Sequence, residues 1–121
     1  MFQLVNIYEL ICDTLAPLGY TVKEQGTYPL GATLPETFIT YFIVDSPNGS
    51  FADNMPTSKT SRIQLVLYSK KPSIKQTADN LFKSVMLLGG FLRVGGRDLP
   101  FNAGTGHYAY TCDYRYYEME E

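Results

Sequence analysis

A nucleophilic or metal-assisted site in this chain would depend on its few histidine and cysteine side chains. The sequence holds one histidine, His107, and two cysteines, Cys12 and Cys112. A Ser-His-Asp or Cys-His arrangement would have to use His107 as its base, and zinc needs Cys and His ligands at short spacing. His107 follows Gly-Thr-Gly at the start of a strand, where an exposed imidazole is ordinary, and the cysteines are far apart. The sequence therefore predicts no catalytic residue and no zinc site.

Loops that hold phosphate or calcium are also missing from the sequence. It contains no Asp-x-Asp calcium loop and no Gly-x-x-x-x-Gly-Lys-[Ser/Thr] phosphate loop. The glycine-rich stretch 89–106 follows a helix rather than opening one, so its glycines are expected to serve caps and turns. We therefore expect no cofactor, no metal and no enzymatic activity. The alternative is a small enzyme or ligand-binding domain whose site is assembled only in three dimensions.

The two cysteines are predicted to be small buried hydrophobic residues. In a reducing compartment such thiols stay reduced. A disulfide between Cys12 and Cys112 is the alternative, and it would require the first helix and the last strand to touch.

Size and charge favour one soluble domain spanning 1–121. The formal net charge is −2 and only Lys70 and Lys71 are adjacent basic residues, so specific nucleic-acid binding is not expected. The longest apolar run, 85–88, is far shorter than the roughly 18 residues of a membrane span. Glu9 and Asp13 interrupt the apolar pattern near the N-terminus, which argues against a signal peptide. We expect a protein that stays in the cytosol of the cell that makes it, with no membrane partner.

Two helices are predicted. Apolar residues at helical spacing indicate a first helix over 3–16, which Pro17 and Gly19 end. A second helix begins at Ser73, which forms a Ser-x-x-Gln capping box with Gln76, and it ends at 89–90. Its apolar face consists of Ile74, Ala78, Leu81, Phe82, Val85 and Leu88.

Strands are predicted at 20–25, 38–44, 62–68, 91–94, 97–101 and 107–117. We expect 38–44 and 62–68 to pair antiparallel, a tight hairpin turn at Gly95-Gly96, and another turn at 102–106. The order α-β-β-β-α-β-β-β predicts an α+β fold. Its sheet is mainly antiparallel, with the two helices packed on one face and a long loop between two central strands.

Residues 46–60 are predicted to form this long projecting loop. The stretch is broken by Pro47, the Asn48-Gly49 pair and Pro56, and it is much longer than the roughly two to five residues of most hairpin loops. A functional loop and a floppy hairpin tip both fit it. The acidic tail 118–121 is expected to be frayed.

The last strand carries an alternating row of tyrosines. The chain has ten tyrosines and no tryptophan. Alternation places Tyr108, Tyr110, Cys112, Tyr114 and Tyr116 on one face, opposite His107, Ala109, Thr111, Asp113 and Arg115. Tyrosine suits both a sheet core and a protein interface. We favour the core for this face, with an interface as the alternative.

Three stretches carry a resemblance to a known family: Tyr28-Pro29-Leu30-Gly31-Ala32, the strand 38–44, and Phe51-Ala52-Asp53-Asn54 before the strand 62–68. They resemble minor virion proteins of tailed bacteriophages. In particular they are similar to the tail-completion group, also called tail terminators or head-to-tail joining proteins. The order of the predicted elements agrees with that family over nearly the whole chain.

The resemblance implies a structural subunit of a bacteriophage virion that forms a ring, typically hexameric, at the head-proximal end of the tail. The ring would terminate the tail tube and join it to the head connector. The implied partners are copies of the same chain, the tail-tube protein and the head-connector proteins, and DNA would pass through the ring without specific binding. The implied location is the virion tail and neck, and the host cytoplasm during assembly. A head-completion or minor capsid protein is the related alternative.

Candidate subunit-interface residues lie in the long loop and on the last strand. In the loop they are Phe51, Ala52, Asp53, Asn54 and Met55, because Phe51 and Met55 are apolar in an otherwise polar stretch. On the strand they are Tyr108, Tyr110, Tyr114 and Tyr116. The alternative for the loop is that Phe51 and Met55 fold back onto their own domain.

Overall fold

The computed structural model of the chain describes residues 6–26, 33–45, 51–52, 55–56 and 58–119. Its helices are α1 (Ile7–Leu15), α2 (Pro72–Gln76) and α3 (Ala78–Met86), and a short 3₁₀ turn spans Ala16–Leu18. Its strands are β1 (Thr21–Glu24), β2 (Thr37–Asp45), β3 (Phe51–Ala52), β4 (Met55–Pro56), β5 (Ser58–Ser69), β6 (Leu92–Asn102) and β7 (His107–Met119).

Five strands form one mixed sheet in the order β1-β2-β5-β7-β6. Only β1 and β2 pair parallel; the remaining pairs of this sheet are antiparallel. The central strands β5 and β7 are the longest, with 12 and 13 residues. The predicted α+β fold is confirmed, and so is the antiparallel pairing of 38–44 with 62–68, in which Phe38 lies opposite Tyr68.

The helices cover one face of this sheet because each has one apolar row. In α1 the buried residues Ile7, Ile11 and Leu15 recur every four positions, and α3 repeats this spacing in its own buried row. Both rows pack on the residues of a single sheet face: Ile39, Tyr41, Ile63, Leu65, Leu67, Cys112 and Tyr114. α1 and α3 also contact each other. The hydrophobic core therefore lies between the sheet and its helices.

The first helix agrees with its prediction in the described residues, which begin at 6. Asn6 caps α1, since its side-chain oxygen accepts the Glu9 N–H at 3.3 Å. Pro17 stands in the 3₁₀ turn that ends α1, and Gly19 follows with a left-handed φ of 79°. Tyr8, predicted on the apolar face, is 45% exposed. In the described part of the chain, no helix has the length and apolarity needed to span a membrane.

The second helix differs from its prediction at both ends. α2 begins at Pro72 with Lys71 as its N-cap, and no side chain caps it, so the predicted capping box at Ser73 is wrong. Thr77 separates α2 from α3. The helical path closes at Gly90, which has a φ of 88° and lets the Phe91 N–H donate to the Met86 carbonyl at 3.0 Å. α3 ends before Leu88, which is 89% exposed instead of buried.

The predicted hairpin turn at Gly95-Gly96 is wrong, because residues 92–102 form the single strand β6. The register of β6 against β7 shifts between Arg93 and Gly95, which marks a bulge. Gly96 is required for packing, since a Cβ atom there would overlap the Tyr110 hydroxyl. The predicted turn at 102–106 is confirmed, and in it the Gly106 N–H donates to the Asn102 carbonyl at 2.7 Å.

The predicted loop 46–60 and tail 118–121 both overlap with strands. β5 already begins at Ser58, and within the loop Phe51 pairs with Pro56 and Ala52 with Met55. In the tail, β7 continues to Met119, which pairs with Ser58. The other loop residues, and 120–121, lie outside the described residues.

Candidate subunit interface

The two faces of the sheet differ in what covers them. Successive side chains of a strand point to opposite faces, and one set belongs to the core cluster with residues of all three helices. The intervening residues form the other face, which we call the helix-free face. On β2, β5 and β7 it carries Phe38, Thr40, Phe42, Arg62, Gln64, Val66, Thr111, Asp113 and Arg115. Within the described residues no helix packs on it.

The centre of the helix-free face is buried, although no described helix packs on it. Thr40, Val66 and Thr111 lie side by side on three neighbouring strands and are only 4–6% exposed. The Thr111 hydroxyl donates to the Leu65 carbonyl at 3.2 Å. The exposed part of this face therefore lies at its edges.

One end of the helix-free face carries three arginines, which we call the arginine patch: Arg62 on β5, Arg97 on β6 and Arg115 on β7. Arg62 lies directly opposite Arg115 across β5 and β7, and Arg97 lies opposite Thr111. Arg62 and Arg97 line a cleft of about 190 Å³ that also contains Gln64, Val94, Gly95, Gly96, Thr111 and Asp113.

Among the described side chains, the carboxylate of Asp113 lies in the arginine patch, and on β2 Asp45 lies opposite Arg62. The Nε and Nη2 atoms of Arg62 both donate to Asp113 Oδ2, at 3.1 and 2.7 Å. The Arg62 side chain is 45% exposed, so this pair contributes at most about 1 kcal/mol to stability. Arg97 and Arg115 are exposed, and within the part of the chain that the structure describes neither forms an ion pair. Arg97 and Arg115 therefore carry two positive charges without an ion-pair partner among the described side chains.

Exposed apolar side chains surround the arginine patch. Leu92 lies opposite Arg115 and is 65% exposed, and Tyr117, two residues after Arg115, is 51% exposed. Val94 stands at the bulge of β6, lines the cleft and is 38% exposed. Arginine, tyrosine and aliphatic groups in one exposed area are typical of protein interfaces.

Polar contacts on the helix-covered side hold β6, which contributes Arg97 to the patch, against α3. Arg93 Nε donates to Asp79 Oδ1 of α3 at 2.9 Å, and Lys83 lies 3.1 Å from Asp79 Oδ2. Burial alone would raise the pKa of Asp79, but the hydrogen bonds from Arg93 and Lys83 outweigh it and hold that pKa below its ordinary value. Arg93 Nη2 also donates to the Tyr110 hydroxyl at 3.3 Å.

The predicted interface tyrosines of the last strand divide between core and surface. Tyr114 is fully buried in the chain's own core, so it has no surface to offer a neighbour, and Tyr110 and Tyr116 are partly buried against that core. Tyr108 is half-buried, with its ring 4.6 Å from that of Phe101. The favoured core interpretation holds for Tyr114 and in part for Tyr110 and Tyr116, whereas Tyr117, which was not predicted as an interface residue, lies on the other face.

The predicted loop residues Phe51, Ala52 and Met55 lie in the β3–β4 ladder. Asp53 and Asn54 lie outside the described residues. A role of this loop in subunit contacts stays a prediction.

His107 is buried, not exposed as predicted, with 1% of its surface accessible. Its Nε2 lies 2.9 Å from the Pro35 carbonyl, which can only accept, so Nε2 donates. Nδ1 is buried and has no hydrogen-bond partner among the described residues, and the ring meets Phe38 edge-on at 5.3 Å. Two shallow cavities of about 240 and 260 Å³ adjoin the ring, and both are also lined by Leu34 and Thr105.

The chain's thiols are not placed beside His107. Cys112 belongs to the helix-covered face of β7, whereas His107 belongs to the helix-free face, so a Cys-His pair is not formed between them. Both cysteines are free, which makes the disulfide alternative wrong. The Cys12 thiol donates to the Tyr41 hydroxyl at 3.6 Å, and burial raises the pKa of the Cys112 thiol. Among the described residues, no group of three or more His, Cys, Asp and Glu side chains is placed to hold a metal ion.

Comparison with known proteins gives no match: no protein-family model fits this chain, and a search of curated proteins finds no relative.

Proposed function

We propose that this chain is a structural subunit that assembles with copies of itself through protein–protein contacts. The observation that carries the proposal is the arginine patch on a sheet face that no described helix covers. The exposed apolar residues around it, Leu92, Val94 and Tyr117, form its rim. Like charges placed directly opposite in a sheet are destabilising, and Arg62 and Arg115 are placed so. Carboxylates from a partner would offset this repulsion. A partner that covers the rim would also remove exposed apolar area from water.

The total accessible surface of the chain is large enough for such an assembly. A stable interface buries about 800 Å² on each partner, and the accessible surface of the chain is 7282 Å². Each residue of the rim adds apolar area, worth about 25 cal/mol per Å² on burial.

The resemblance to tail-completion proteins indicates where in a virion the assembly would be located. On this proposal the subunits form a ring, typically hexameric, at the head-proximal end of a bacteriophage tail. The ring terminates the tail tube and joins it to the head connector. A head-completion or minor capsid subunit would use the same kind of surface but bind the connector and not the tube.

A small-molecule site at His107 is the second candidate function. It is favoured by the buried Nδ1 without a partner and by the two cavities that adjoin the ring. A ligand there would raise the melting temperature of the protein, and His107→Phe would abolish that rise.

The mass of the protein in solution tests the main proposal. Sedimentation velocity and negative-stain images, with and without purified tail-tube protein, should show a symmetric oligomer or a complex on the tube. Arg97→Glu should weaken it, whereas Lys70→Glu, the same charge change at an exposed site outside the patch, should not. A monomer at every concentration, indifferent to tail-tube protein, would overturn the proposal.

A further inference from the structure

We infer that the arginine patch on the helix-free face receives the outer side of helix α1 from a second copy of this chain, through Glu9 and Asp13. The inference rests on the proposed assembly and names its contact. The contact joins surfaces on opposite sides of the subunit.

The outer side of α1 is acidic by geometry. Successive residues of a helix are about 100° apart, and Glu9 and Asp13 each follow a buried isoleucine by two positions, at Ile7 and Ile11. They therefore lie about 200° from the buried row and point away from the sheet. Both are exposed, and neither forms an ion pair with the described residues.

The charges of the two surfaces match. Arg97 and Arg115 form no ion pair with the described side chains and keep this end of the face positive, while Glu9 and Asp13 supply two negative charges. Carboxylates arriving between Arg62 and Arg115 would relieve the repulsion of this directly opposed pair. Arginine can also bind a carboxylate through two parallel hydrogen bonds.

The apolar parts match as well. Tyr8 precedes Glu9 on α1, is 45% exposed, and packs only obliquely on Tyr41, with ring centroids 6.4 Å apart. Tyr8 lies about 100° around the helix from Glu9, so its ring would meet the exposed Leu92 or Val94 only at the border of the contact. Burial of such a ring is a frequent anchor in interfaces.

The positions of the two surfaces on the subunit determine the symmetry of the assembly. α1 lies on the helix-covered side of the sheet and the arginine patch on the other side, so one subunit can engage a neighbour at each. A two-fold dimer through the patch would oppose arginines to arginines. Contacts between different surfaces are head-to-tail, and they generate a ring when the rotation closes.

Charge reversal in two separate proteins tests the contact. One variant carries Arg97→Glu and Arg115→Glu, and the other carries Glu9→Arg and Asp13→Arg. Each alone should assemble on the order of a hundredfold more weakly than the wild type, because like charges then meet. An equimolar mixture should assemble again, since each patch finds an α1 of opposite charge, as should one chain with all four substitutions. All the replaced side chains are exposed, so melting temperatures should stay close to the wild-type value.

Salt gives a test that needs no variant. Wild-type assembly should weaken as NaCl rises from 0.05 to about 0.5 M, because contacts between exposed charges are screened over about 10 Å at 0.1 M. The outcomes separate the two proposals. A wild type that assembles together with charge-reversed variants that assemble equally well overturns the α1 contact and leaves the proposed function standing. Assembly that does not change with salt concentration would likewise overturn the α1 contact and leave the proposed function standing. The same holds if the arginine substitutions affect only the binding of duplex DNA. A wild type that never assembles removes the proposed function itself.

Discussion

The two faces of the central sheet are built from alternate residues of the same strands, yet they have opposite relations to the rest of the chain. On β5, the helix side presents Ile63 and Leu65, fully buried, while the helix-free side presents Arg62, whose side chain is 45% exposed. One face is finished within the monomer. At one end of the other face, like charges are opposed across β5 and β7 and apolar groups remain exposed, although the centre of that face is buried.

Because the two faces differ in this way, different residues are expected to determine stability and assembly. Side chains on the helix side remove apolar area from water in the single chain, so they determine whether it folds. Side chains at the edges of the helix-free face gain little from folding, so they are free to serve a partner. The expected result is that changes on the two faces alter different measurements.

The largest effect is expected in the core under α3. Phe82 is fully buried, and Phe82→Ala should lower the free energy of unfolding by about 3–5 kcal/mol because it leaves a cavity. Leu92→Ala on the helix-free face should change it by less than about 0.5 kcal/mol. Equilibrium urea unfolding measures both. If Phe82→Ala does not fold, Phe82→Leu should still cost about 1 kcal/mol. Equal losses for Phe82 and Leu92 would show that the two faces do not differ as described.

Residue alternation and helical spacing predicted most of this fold. The alternation of β7 separated Tyr114 from Asp113, and the row Ala78, Phe82 marked the buried side of α3. Such patterns are properties of a single segment, which is why the sequence shows them. The arginine patch could not be found in this way, although alternation placed Arg115 opposite the tyrosine face of its strand. Their proximity depends on the register between β5 and β7, and no local pattern specifies it.

The glycines of β6 show the same limit. Gly95-Gly96 has the composition of a tight turn, but Gly96 is needed because the Tyr110 side chain crosses over it. That requirement comes from a neighbouring strand and leaves no local trace. Ser73 likewise fits a capping pattern, but Pro72 already occupies the first turn of α2.

The second prediction compares these two glycines. Gly96→Ala should destabilise the protein by about 1–3 kcal/mol, because its Cβ would overlap the Tyr110 hydroxyl and approach the Thr111 carbonyl at 3.0 Å. Gly95→Ala meets nothing within 4 Å and should be neutral or stabilise by up to about 1 kcal/mol. Thermal unfolding of both variants gives the comparison. If Gly96→Ala melted like the wild type, the packing of Tyr110 on β6 would be disproved.

The third prediction concerns acid. The pKa of Asp79 is lower in the folded chain than its ordinary 3.8, so its contribution is complete above that value and is lost as pH falls through the lowered folded pKa. Asp79→Asn should cost on the order of 1 kcal/mol at pH 7, reduced by partial exposure, and the difference from wild type should shrink as pH falls below 3.8. Asp98→Asn, which removes a carboxylate whose side chain is 65% exposed, should cost less at pH 7. Urea unfolding at several pH values measures this, and an Asp79→Asn difference that did not shrink as the medium became more acidic would contradict it.

The smallest effect on stability, paired with a clear effect on assembly, is expected at Tyr117. It is 51% exposed on the helix-free face, so Tyr117→Ser should change the free energy of unfolding by less than about 0.5 kcal/mol. If that face meets a partner, the same change removes a buried ring from the contact and should weaken assembly about tenfold, which is about 1.4 kcal/mol. Leu88→Ser is the matched control, because Leu88 is 89% exposed just after α3 and should alter neither quantity. Sedimentation velocity and urea unfolding on the same samples separate the two effects. Because Tyr117 and Leu88 are both exposed apolar residues, only a partner on the helix-free face distinguishes them, and equal assembly of the two variants would mean that this face is not covered.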